Sequence, residues 1–135
     1  MDFSIIFEPE NFKLYLSGLK ITIQLVSFSL FIGLLMAVPL AIIRTSKNYF
    51  VSAPVRAFVY FFRGTPLLVQ MFLIYYGLGQ FEGLKETFLW TYFREAYFCA
   101  LVAFTLNTAA YTTEIIRGAI DGTPHGEIEA AKSVG

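Results

Sequence analysis

Asn107, Tyr111 and Glu114 are spaced i, i+4 and i+7, so on a helix a carboxamide, a phenol and a carboxylate share one face. They lie in and just beyond an uncharged run, 96–113, whose second half also carries Thr105, Thr108, Thr112 and Thr113. Polar groups at membrane depth are costly and usually face a bundle interior or a wet cavity. There the carboxamide could bond either end of a polar solute, the phenol could stack on it or bond it, and the carboxylate could attract a cation. The same residues have quieter uses, Asn107 as a hydrogen bond between helices and Glu114 as an interfacial charge. Gln70 poses the same choice between interhelical bond and path lining. Arg63 suits an anchor at the inner interface as well as a ligand. Catalytic pairs are missing: no nucleophile sits beside a base, and no Gly-x-x-x-x-Gly-Lys-Ser/Thr loop is present to cradle ATP. His125 is the only histidine and Cys99 the only cysteine, so neither a metal site nor an internal disulfide is expected.

The elements that hold these residues read as membrane helices. Of 135 residues, 56% are hydrophobic and only 15% charged, against roughly 45–50% and 25% in a soluble domain. Net charge is zero, which leaves no electrostatic footprint for nucleic acid. Positions 1–20 form a polar-flanked lead with Phe3, Phe7, Phe12 and Tyr15, suited to the membrane interface. Asp2, Glu8 and Glu10 precede Lys13 and Lys20, unlike the basic start of a secretory signal, so the first apolar run is expected to stay in the mature protein. That run, 21–43, holds no charge and is long enough to cross ~30 Å of hydrocarbon, with a kink expected near Pro39. A second span is expected over 56–80 and a third over 96–115. Continuously apolar runs favour helices over alternating barrel strands. Pro66 is expected to put Thr65 outside the α region and to free backbone groups that protein or water must satisfy.

Charge sets the direction. Arg44, Lys47, Arg56 and Arg63 fall between positions 44 and 63 with no acidic residue among them, which assigns that connection to the cytoplasm. The outer connection near 80–95 is balanced and carries Phe88, Trp90, Tyr92 and Phe93 as an aromatic belt. The N-terminus is then outside and everything after the third span inside. That inner segment, 121–135, reads as a short helix. Thr123 can cap it, Pro124 suits its first position, and Glu127 and Glu129 fall near its N-terminus. Ile128, Ala131 and Val134 make an apolar strip, and Ala130, Ala131 and Gly135 let a partner surface approach closely.

The same segment carries a resemblance. Pro124, His125, Gly126, Glu127, Ile128, Glu129, Ala130 and Ala131, with Gly135 after three further residues, resemble the start of the EAA motif of membrane permease subunits of binding-protein-dependent ABC importers. The string is similar to the polar and basic amino-acid branch, which includes histidine, arginine, glutamine and opine permeases. Arg63, Gly64, Thr65 and Pro66, leading to Gln70, resemble a second signature of that branch, and positions 105–115 resemble its third-span pattern. The resemblance implies an all-α transmembrane fold with five spans, of which this chain offers three, so that it reads as the N-terminal part of a longer inner-membrane permease. It implies a coupling helix docked on an ATPase subunit that binds ATP and magnesium. A second permease copy or paralogue, an external substrate-binding protein and transport by alternating access are implied with it. Asn107, Tyr111, Glu114 and Gln70 would then meet the ammonium, carboxylate or side chain of an amino acid. A small structural membrane protein, an anchor or assembly factor, is the rival reading, and an ion channel a weaker third.

Overall fold

A computed structural model describes residues 3–135; Met1 and Asp2, and the side chains of Phe3 and Ile6, lie outside the described residues. Asp2 and the side chain of Phe3, expected in the polar-flanked aromatic lead, therefore lie outside the described residues. The described chain is helical throughout. A 3-10 turn, Phe3–Phe7, leads into α1, Pro9–Arg44; then come α2, Tyr49–Gly64, and α3, Leu67–Phe72. A π-turn, Leu73–Gly77, and a 3-10 turn, Leu78–Gln80, extend α3. Two short helices follow, α4 (Glu82–Lys85) and α5 (Trp90–Phe93), before α6, Ala96–Gly122, and α7, His125–Ser133.

The lead and the first apolar run are one continuous helix of 36 residues. Pro9 sits at its first turn, where a missing N–H costs nothing. Asn11 ties the preceding turn to it by donating from Nδ2 to the Ile5 carbonyl at 2.7 Å. No residue between Pro9 and position 21 interrupts the helix, and Pro39 lies inside α1 without ending it. At ~1.5 Å per residue the helix outruns the hydrocarbon thickness. Apolar side chains surround α1, the pattern of a helix whose whole surface meets lipid or protein.

α1 packs chiefly on α6. The α1 residues that are buried are Ser29, Gly33, Ala37 and Ala41, one every fourth position. On α6 they are Cys99, Ala100, Ala103, Thr105, Ala109, Ala110 and Thr113. Small residues on both faces let the backbones close up, which matters where lipid offers no hydrophobic drive for association. The contact is tightest at Gly33, where an added Cβ would lie 2.8 Å from Thr108 Cγ2 and 3.2 Å from the Thr105 carbonyl.

The second span departs from a simple crossing. The run 56–80 is not one helix: α2 and the α3 segment through Gln80 meet at 108°. Thr65 is extended (φ −109, ψ 143), the conformation that a following proline favours. The position of the break follows from Pro66. Its size does not, because the angle depends on what α2 and α3 each pack against. α1 and α6 are the two helices long and apolar enough to cross a membrane; the bent pair makes a third crossing if it counts as one span.

Candidate functional site

Pro66 builds the site. A proline has no N–H, so the Phe62 carbonyl, four residues earlier, loses its helical donor. With Thr65 extended, α2 ends at Gly64 and the carbonyls of its last turn need other partners. The Phe61 carbonyl takes the Thr65 N–H at 3.1 Å and the Thr65 hydroxyl at 2.8 Å. Phe62 is served by Gln70, whose Nε2 donates to its carbonyl at 2.8 Å and also meets the Thr65 carbonyl (3.0 Å) and Oγ1 (2.7 Å). Gln70 is only 2% exposed, and these three acceptors fix which way its amide faces. The other end of that amide, Oε1, has no partner among the described residues.

α6 supplies the second set of donors. Asn107 Nδ2 donates to the Phe62 carbonyl and the Tyr111 hydroxyl to the Arg63 carbonyl, both at a long 3.4 Å. The Arg63 guanidinium lies over the Tyr111 ring, 5.3 Å from its centroid. Two stretches joined by contacts across 45 and 48 positions thus converge: the one holding Arg63, Gly64, Thr65, Pro66 and Gln70, and the one holding Asn107 and Tyr111. Gln70 and Asn107 are spent on the break itself. Tyr111 keeps 45% of its surface exposed.

One helical turn further on, Glu114 anchors an ion cluster. Its Oε1 accepts from Arg44 Nε of α1 at 2.9 Å. Its Oε2 accepts from Arg117 at 2.9 Å, and Arg63 Nη1 stands 3.9 Å away. Arg117 continues to Asp121 at 2.7 Å. The Glu114 side chain is 13% exposed, so a carboxylate here must be paired. The cations that it meets in the structure are the chain's own arginines. The Arg117 contact is an i, i+3 pair on one helix, whereas Arg44 comes from another helix. A signal for it exists, since 21–43 ends at Arg44 and 96–113 ends at Glu114, and parallel helices bring those ends to one level. The stranded Phe62 carbonyl was equally open to counting back four residues from Pro66. The stripe of Ser29, Gly33, Ala37 and Ala41 was legible as small residues at period four.

The segment 122–135 stands apart from this cluster. α7 contributes none of the groups above, and every residue from 121 to 135 is exposed. Glu127 lies in its first turn and Lys132 in its last, each complementing the helix dipole. Thr123 does not cap α7. Its hydroxyl donates backwards to the Ala119 carbonyl at 2.9 Å, closing α6, and Pro124 precedes α7 with no side-chain cap. The hydroxyl goes to α6 because its last carbonyls are just as short of donors as the first N–H groups of α7. Gly135 has φ +93, which a glycine adopts without strain. His125, Gly126, Glu129, Ala130 and Ala131 lie along α7 with open surface, Ile128 partly exposed among them.

A helical scaffold with apolar, membrane-length helices followed by the exposed α7 has counterparts among known proteins. Residues 29–135 match the family of binding-protein-dependent transport system inner membrane components, and the chain belongs to that family. It is 52% identical over 136 aligned positions to the nopaline transport system permease protein of Agrobacterium fabrum, covering all of this chain and 56% of the relative. It is 47% identical to the octopine transport system permease protein of Rhizobium meliloti, covering all of this chain and 55% of the relative. Over 88% of its length it is 48% identical to the histidine/lysine/arginine/ornithine permease protein of Escherichia coli K12, across 50% of that protein. Among solved structures, a crystal structure of an amino acid ABC transporter with histidines superposes with a TM-score of 0.81 at 32% identity. That match covers all of this chain and 58% of the transporter chain. The chain spans about half the length of the curated relatives it matches.

Proposed function

We propose that this chain is the N-terminal part of a permease subunit in an ATP-driven importer of polar or basic amino acids or opines. The observation that carries the reading is α7: a fully exposed helix with an apolar strip at Ile128 and Ala131, joined to the long α6 through Thr123 and Pro124. An exposed helix of this kind at the end of a membrane helix suits a docking element. Membership of the family and the names of the relatives, which carry octopine, nopaline, histidine, lysine, arginine or ornithine, support the substrate class.

In this reading three crossings run from an outside N-terminus, the bent α2–α3 pair serving as the second. α7 lies in the cytoplasm, and Pro124, His125, Gly126, Glu127, Ile128, Glu129, Ala130, Ala131 and Gly135 contribute to the surface offered to an ATPase subunit. That subunit binds ATP and magnesium; a second permease, identical or paralogous, and an external substrate-binding protein complete the assembly. When the ATPase subunits close, α7 moves and α6 carries the motion as a rigid rod to Glu114, Tyr111 and Asn107. Those residues hold the ends of α1 and α2, so the displacement reaches the bent segment. Gln70, Asn107, Tyr111 and Glu114 border the route there, with Arg63, Gly64, Thr65 and Pro66 shaping its wall.

The test is a pull-down of the tagged full-length protein in mild detergent. An ATP-binding-cassette subunit should co-purify. Ala131→Arg, which puts a bulky charge in the small-residue surface, should abolish that recovery while leaving membrane insertion intact. Recovery of the permease alone, under conditions that preserve a control ABC complex, would favour a structural role instead. Normal recovery with Ala131→Arg would remove α7 from the docking surface.

A further inference from the structure

One face of α2 has a second use. Tyr49, Ala53, Arg56, Tyr60 and Arg63 follow helical spacing along it, and they line an open cavity of about 690 Å³ together with Arg44 and Glu114. Ala53, Ala57 and Gly64 keep the floor low, and no carboxylate but Glu114 reaches the lining. Glu114 is already engaged by Arg44 and Arg117 at 2.9 Å each. Arg63 stays 45% exposed at 3.9 Å from it, and Arg56 has no ion pair among the described residues. Both are steadied by aromatic rings, Arg56 over Tyr49 at 5.7 Å and Arg63 over Tyr111 at 5.3 Å. The result is one guanidinium without an ion pair among the described residues, Arg56, and one held only loosely by its carboxylate, Arg63, beside an open cavity, and either planar fork is suited to bidentate capture of a phosphate.

We propose that this cavity binds the phosphate of an anionic glycerophospholipid from the cytoplasmic leaflet. Free inorganic phosphate shares the chemistry, but the surroundings favour a lipid. Tyr60 stands 84% exposed at the rim, and Phe50 (86%) and Phe61 (46%) of the same helix offer apolar surface suited to acyl chains. Basic pockets between membrane helices on the cytoplasmic side attract anionic headgroups, and each arginine near the surface adds to the attraction. The inference rests on the orientation proposed above.

The experiment uses the complete importer reconstituted in nanodiscs of equal parts phosphatidylcholine and phosphatidylglycerol, then transferred to detergent for mass measurement of retained lipid. Wild type should keep phosphatidylglycerol in preference to phosphatidylcholine, and excess inorganic phosphate should not displace it. Arg56→Gln with Arg63→Gln should reduce the retained phosphatidylglycerol roughly tenfold or more. Lys85→Gln with Arg94→Gln, removing as many charges from the outer connection, should leave it unchanged. Equal loss in the two double variants would mean general charge attraction and overturn the site. Full displacement by phosphate with no lipid preference would overturn the lipid assignment. Should the arginine variant fail to assemble, the wild-type preference alone decides, since equal retention of both lipids sinks the proposal. Chemical labelling of Arg56→Cys from the outside only would refute the orientation without changing the retention result, which separates the two failures.

Discussion

Gln70 shows how one missing hydrogen can organise a neighbourhood. Pro66 withholds an N–H from Phe62, and a buried carboxamide four residues later provides the replacement. The bond is short and Gln70 is almost fully buried, so its loss leaves a carbonyl short of a donor, at about 1–3 kcal/mol. Asn107 reaches the same carbonyl at 3.4 Å and is the weaker donor. Gln70→Leu in the full-length protein should therefore lower the thermal midpoint of the detergent-purified complex by several degrees, while Asn107→Ala should barely move it and should reduce substrate uptake. Equal thermal shifts would show that Asn107 carries as much of the break as Gln70. Unchanged uptake in Asn107→Ala would return it to helix packing. Both residues stood out in the sequence as polar groups in apolar runs. The stranded Phe62 carbonyl could be counted back from Pro66; that both amides turn to it could not, because Asn107 reaches it across 45 positions of chain.

Elements meet here through what their side chains lack. α1 and α6 approach through glycine, alanine, serine and threonine, and the largest fully buried side chains of the described residues are polar or sulfur-bearing: Gln70 of α3, and Thr113 and Cys99 of α6. Packing of this kind tolerates little added volume. Gly33→Leu has no room against the Thr105 carbonyl and the Thr108 side chain. It should cost about 1–3 kcal/mol as an overpacking change. The expected outcome is reduced recovery of folded permease from membranes, with Gly18→Leu, whose surroundings are open, as the tolerated comparison. Equal recovery of both variants would show that α1 and α6 can part without consequence. The element boundaries were readable to different degrees. Uncharged length marked α1 and α6, and Pro66 marked the end of α2. The extension of α1 back to Pro9 was hidden because charged residues at positions 10, 13 and 20 look like an interface even when the helix runs straight through them.

For the whole molecule, sidedness is the property on which the rest depends. Basic residues gather between Arg44 and Arg63, and α7 lies at the same end of α6 as the Arg44–Glu114 pair. Lys47→Cys and Glu86→Cys, both at exposed positions, should be labelled from opposite sides of intact cells by an impermeant thiol reagent, with Glu86→Cys the one reached from outside. The native thiol, Cys99, is buried and should stay silent. Labelling of both positions from outside would overturn the three-crossing reading. What the sequence determined by itself was the solvent each stretch can tolerate: apolar length and the motif strings are local properties, and they were enough for the helical class and the family. The tertiary structure alone decided which helix faces meet and where each polar group is spent. It bent the α2–α3 pair by 108°, sent Gln70 and Asn107 to one carbonyl and closed Glu114 between two arginines. The Asn107 and Arg44 contacts reach across 45 and 70 positions of chain, and such contacts are set by close packing between helices.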